Sequence, residues 1–127
     1  MDKKTIEILE REFESREIRF RPGRGGQRWS YIEGAGVIRR LNEAFHNSWS
    51  VEVREHSTMG EELLVLARLT VFDSETGKSI CHDAWGSKRI EKAMECGDLL
   101  NAATTNALKK AATRLGIGLH LYTNDNQ

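Results

Sequence analysis

Over residues 63–71 every odd position is apolar (Leu63, Val65, Ala67, Leu69 and Val71), and a period of two marks a β-strand with one face turned to a core. The opposite face carries Leu64, Leu66 and Phe72, so it too is expected to be covered, by a neighbouring subunit. Trp49, Val51 and Val53 alternate with Ser50, Glu52 and Arg54 in a half-buried strand ahead of it. Residues 75–78 have turn composition, and residues 79–85 complete an antiparallel meander. Helical spacing appears elsewhere. Ile6, Leu9 and Phe13 indicate an N-terminal helix over 1–15, and Val37, Ile38, Leu41, Ala44 and Phe45 a second helix behind a short strand at 28–32 and the break Gly34-Ala35-Gly36. A long helix is expected over about 88–115, with Gly97 as its weak point and Gly116 and Gly118 as stops. Its apolar side is Leu100, Ala103, Ala107, Leu108, Ala111 and Leu115. The fold class is therefore α+β, in the order helix, short strand, helix, three-stranded antiparallel meander and a long C-terminal helix packed on the sheet. One domain spans 1–127: helix 1–15, an Arg/Gly loop 16–28, a core 29–118 and a tail 119–127.

The other side of the long helix carries Asn106, Lys109, Lys110, Thr113 and Arg114, an arc of roughly 140° at about 100° per residue. Residues 99–124 contain no Asp or Glu, although 19 basic and 19 acidic side chains balance over the chain. Charge is thus segregated locally, which suits a polyanion, although a solvated basic face accounts for one such helix equally well. A second basic cluster lies upstream: Arg16, Arg19, Arg21, Arg24 and Arg28 against the single acid Glu17. It holds Pro22, the only proline, next to Gly23, Gly25 and Gly26. Arginines on such a loop can fork onto phosphates while glycines admit close backbone approach; a mobile turn is the plain alternative. The middle of the chain is acidic, with Glu52, Glu55, Glu61, Glu62, Asp73 and Glu75 against Arg54 and Arg68. Opposite charge on different parts of one subunit favours head-to-tail contacts of the kind that close rings.

Several classes are excluded. No apolar run approaches the roughly 20 residues of a membrane span, and the N-terminus has a charged helix pattern rather than that of a signal peptide. An intracellular, membrane-free protein is expected. Cys81 and Cys96 stand far apart in no CxxC pairing, and His82 and His120 add no regular spacing, so neither metal nor cofactor is expected. Residues 31–39 superficially follow a dinucleotide-binding turn, strand then Gly34-Ala35-Gly36 then helix, but the third glycine is missing and the next strands are antiparallel. With no phosphate-cradling lysine motif and no nucleophile elbow, the chain does not read as an enzyme.

Gly25-Gly26-Gln27-Arg28-Trp29-Ser30-Tyr31-Ile32-Glu33-Gly34, the helix to Asn42-Glu43-Ala44-Phe45, Trp49 at the next strand and Thr105-Asn106-Ala107-Leu108-Lys109-Lys110-Ala111 before Leu115-Gly116 resemble the annealing domain of the Rad-fifty-two type. These are single-strand annealing proteins of homologous recombination, with short bacterial and phage relatives. The similarity runs over about residues 21–118. It implies a β-β-β-α core, a ring of subunits and a basic groove that holds single-stranded DNA by its backbone with bases turned outward, without nucleotide hydrolysis. It puts Arg21, Lys109 and Lys110 at the inner groove, where Arg24, Arg28 and Arg114 are counted with them, and Lys88, Arg89 and Lys92 near an outer DNA path. The family helix often has a basic residue one turn after its Lys/Arg pair; Thr113 stands there, with Arg114 beside it.

The expected function is ATP-independent binding of single-stranded DNA and annealing of complementary strands in recombination and repair. The partners are single-stranded DNA, further copies of the chain, and a single-strand-binding protein or exonuclease. The expected setting is the cytoplasm of a bacterial or phage-infected cell, or a nucleus or organelle in a eukaryote. The chain ends at Gln127 without the tail by which long relatives engage a recombinase, so annealing is expected without a mediator role. Stacking of bases on Trp29, Tyr31 or Trp85 is an alternative to pure backbone binding. A non-annealing module that coats single strands, or a small nucleotide-binding enzyme using the 33–36 turn, are the other classes open.

Overall fold

The computed structural model describes residues 1–124, apart from the side chains of residues 24, 123 and 124. Three long strands, β3 (Trp49–Met59), β4 (Glu62–Asp73) and β5 (Lys78–Arg89), form an antiparallel sheet in the order β3-β4-β5. The odd positions of β4 are buried as their alternation predicts. Leu63, Val65 and Ala67 pack against Ala103 and Ala107, while Leu69 and Val71 join Leu108 and Ala111 in a second, larger core. A register shift between Val53 and Glu55 bulges β3 at mid-length, bending that edge. The even β4 residues face away from the helices; there Leu64 and Leu66 are half-buried and Phe72 is exposed.

The long helix α3 (Cys96–Thr113) lies on the inner side of this sheet. Its contact side is made of Ala103, Ala107, Ala111 and Ala112, all fully buried. Opposite them β5 presents Gly86, where a Cβ would run into the backbone of Ala103 and Ala107. Alanine and glycine together bring helix and strand backbones into direct contact.

Several sequence expectations are corrected. The N-terminal helix α1 (Lys3–Glu10), capped by the Asp2 carboxylate accepting from the Thr5 N–H at 2.7 Å, stops at residue 10 and not at 15. The reason is Arg40 of α2 (Gly34–Phe45), only 4% exposed, whose guanidinium donates to the carbonyls of Ile8 (3.1 Å) and Arg11 (2.6 Å) and lies 4.1 Å from the Phe13 ring centroid. It satisfies carbonyls at the helix end and draws Phe13 into the core from a non-helical segment. Arg40 also takes an inward place on α2, while Ile38, expected inside, is exposed.

The supposed loop 16–28 contains a strand, β1 (Ile18–Pro22), paired antiparallel with β2 (Arg28–Ile32). Its alternation of Ile18 and Phe20 with Arg19 and Arg21 is hidden by its charge. Gly25 and Gly26, at φ 66° and 78°, shape the hairpin tip.

The long helix starts at Cys96 and not near 88, because β5 stays paired with β4 out to Arg89 opposite Glu62, and Ile90 still donates to the Glu61 carbonyl at 2.8 Å. Leu100, assigned to its apolar side, is 41% exposed; Leu99 packs inward instead.

Finally, the tail expected from 119 begins with a short helix, α4 (Leu119–Asn124), whose Leu121 is buried in the core that also holds Phe13 and Ile117; residues 125–127 lie outside the described residues. No helix among the described residues is long and apolar enough to cross a membrane.

The contact at Gly86 makes a stability prediction. Gly86→Ala should lower stability by about 1–3 kcal/mol, because backbone on both sides has to move apart. Gly97→Ala, where nothing lies within 4 Å, should be neutral or stabilising by up to about 1 kcal/mol. Thermal melts followed by circular dichroism separate the two; equal melting temperatures would refute the contact.

Candidate nucleic-acid interface

In the β1–β2 hairpin Arg21 stands opposite Trp29 and Arg19 opposite Tyr31. Directly paired residues share a face of an antiparallel ladder, so these four side chains project from one side. Ser30 and Ile32 on the other side are buried. The helix α3 delivers Lys109 to the first side. Its Nζ lies 5.4 Å from the Tyr31 ring centroid, while the Arg21 guanidinium lies 5.9 Å from that same centroid and 5.8 Å from that of Trp29. Two cations therefore converge on one phenol ring, whose negative face attracts both.

Among the described residues no carboxylate forms an ion pair with Arg21, Lys109 or Lys110. Burial first, and the like charge of Arg21 second, hold the Lys109 ammonium below the usual lysine value of 10.5, with Glu33 opposing them. An anion placed between Arg21 and Lys109 would offset their repulsion and favour the charged amine. Tyr31, Lys109 and Thr113 line a cleft together with Ile117, Leu121 and Tyr122.

The remaining sequence candidates are distributed differently. Lys110 is exposed on the next position of α3. Arg28 lies on the opposite hairpin face from Arg21, with its guanidinium 4.3 Å from the Phe20 ring centroid. The Arg24 side chain lies outside the described residues. Arg114 does not take the place left by Thr113: its guanidinium donates to the Asp83 carbonyl of β5 at 2.6 Å, whereas Thr113 itself lines the cleft. Asn106 is likewise turned to β5, donating to the Ser87 carbonyl at 2.8 Å. Lys88 and Arg89 stand at the end of β5 beside acids, Lys88 at 3.8 Å from Glu91 and Arg89 at 2.9 Å from Glu61, and Lys92 is exposed in the connection to α3. Of the aromatic candidates Trp29 and Tyr31 belong to the cluster. Trp85 does not, since it sits opposite Leu66 on the sheet face turned away from α3.

The nucleotide-like turn has a packing explanation. A Cβ at Gly34 would collide with the Thr105 side chain of α3, and Glu33, just ahead of it, accepts from Arg19 at 2.8 Å. The glycine lets α2 meet α3. Sequence reasoning missed Tyr122 at the cleft and Arg40, whose guanidinium lies over the cleft-lining Phe13; no helical periodicity marked the closing segment, because Ile117 lies in the turn ahead of the short α4.

Comparison with known proteins agrees with the earlier resemblance. A sequence model of the Rad52/22 family of double-strand break repair proteins matches residues 2–127. The "DNA repair RAD52-like protein 1, mitochondrial" of Arabidopsis thaliana is 29% identical over 91 residues, covering 70% of this chain and 50% of that protein. The chain spans about half the length of this relative. With a family match over nearly every residue, and the meander and lysine-bearing helix in the expected order, the chain belongs to the Rad52/22 family of double-strand break repair proteins.

Proposed function

We propose that the chain binds single-stranded DNA through its phosphates and anneals complementary strands, as a ring of identical subunits and without nucleotide turnover. The observation that carries this reading is the convergence of Arg21 and Lys109 on Tyr31 with no described acid partner. Cations without counter-charges on an otherwise neutral protein attract a polyanion, and binding releases the counterions condensed on it. Backbone contacts carry no sequence information and leave base edges free to pair with a second strand. One subunit supplies few such contacts, so useful affinity requires many subunits on one strand. Self-association is supported by the sheet face away from α3, where Phe72 and Trp85 are exposed beside half-buried Leu64 and Leu66. Lys88 and Arg89 serve an outer path only if the strand displaces Glu91 and Glu61, a small cost for exposed pairs. The proposed setting is a cell interior, cytoplasm or organelle, the latter in keeping with the mitochondrial name of the relative.

Lys109→Glu combined with Lys110→Glu should abolish single-strand binding and annealing with little change in melting temperature. In the native chain log affinity should fall against log salt with a slope of about −0.7 per phosphate contacted, and Lys109→Ala should flatten it by about 0.7 per engaged subunit. Annealing of complementary oligonucleotides at the normal rate by the double variant would overturn the groove.

The depressed Lys109 gives a pH dependence of two signs. The phosphate favours the charged amine, so affinity should fall as pH rises through the alkaline range below 10.5. Fold stability responds in the opposite direction, since the charged form is the one penalised by burial and that penalty disappears as the amine deprotonates. Lys109→Arg should flatten the affinity profile over that range, measured by fluorescence anisotropy at constant ionic strength.

A further inference from the structure

Resting on the phosphate groove argued above, we propose that Tyr122 is the ring on which this groove stacks a base of the bound strand. Three aromatic side chains stand near the paired cations, and two of them are already covered. Arg21 lies over Trp29 and Tyr31, and Lys109 over Tyr31; the Trp29 indole is also pressed against Gly23, where no Cβ would fit. Tyr122 differs. It lines the same cleft as Tyr31, Lys109 and Thr113, remains 44% exposed, and among the described residues no cation or ring lies over its face.

Its mounting suits the role. The neighbouring Leu121 is buried in the core, so α4 holds the ring at a set position. Burial pushes the Tyr122 phenol above its usual 10.0, against a smaller opposing effect of Arg21, so the ring stays neutral at working pH and does not repel a phosphate. A pair of cations with one uncovered aromatic face beside them is the combination that grips single strands without reading sequence, because every base offers a π-face. The ligand class is therefore a base-bearing single strand, as distinct from any polyanion, which the cations alone would hold.

The test compares oligo-dT with an abasic oligonucleotide of equal length, on the full chain, over a range of salt. The native protein should prefer oligo-dT by about fivefold or more per base engaged. Tyr122→Leu, which keeps apolar bulk, and Tyr122→Ala should lose that preference while abasic affinity and salt slope stay unchanged; Tyr122→Phe should retain it. Should Tyr122→Ala unfold, Tyr122→Leu decides. A native protein without the preference, or a Tyr122→Leu variant that keeps it, would overturn the proposal. Failure of the underlying phosphate reading has a different signature: no salt dependence for the abasic strand.

Discussion

The close approach of α3 to β5 at Gly86 is the constraint on which the rest of the structure depends. A side chain at that position would lift the helix away from the sheet, because the atoms it would meet are backbone and cannot rotate aside. With glycine there, the alanine side of α3 lies directly on the inner face. The two cores, one around Val65 and Ala107 and the other around Leu41, Leu69 and Leu108, are then closed by the same helix.

The rotation of α3 about its axis is set by polar bonds as well as by alanines. As an edge strand, β5 has backbone carbonyls with no strand partner. Asn106 and Arg114 donate to two of them, at Ser87 and Asp83. These bonds hold the helix along the strand and thereby aim Lys109 at the hairpin. Two members of the polar face that looked free for DNA are thus spent on positioning the third.

Charge balance over the whole chain conceals a local imbalance. Arg11, Arg16, Arg19, Arg68 and Arg89 are each matched with a carboxylate on the surface. Such exposed pairs add little stability, but they remove those arginines from competition for an anion. Arg21 and Lys109, which have no acid partner among the described residues, are mounted on β1 and α3 and lie over the Tyr31 ring. On the proposed reading, a site already formed in this way leaves little ordering for binding to accomplish.

Local periodicity by itself determined the alternating core face of β4, the meander around it, the helical spacing of Val37, Leu41, Ala44 and Phe45, and the acid-free basic side of α3. The glycine, glutamine and aromatic pattern at 25–34 with the lysine-bearing helix was enough to indicate the family. Tertiary structure alone decided that an arginine-rich segment pairs as β1, that Arg40 ends α1 from another helix, that Arg28 and Arg114 turn away from Arg21, and that Tyr122 reaches the cleft. Periodicity states which residues share a face of one element. What that face meets is settled by contacts between residues far apart in the chain, where a buried guanidinium finds distant carbonyls and strand register assigns each charge to a side.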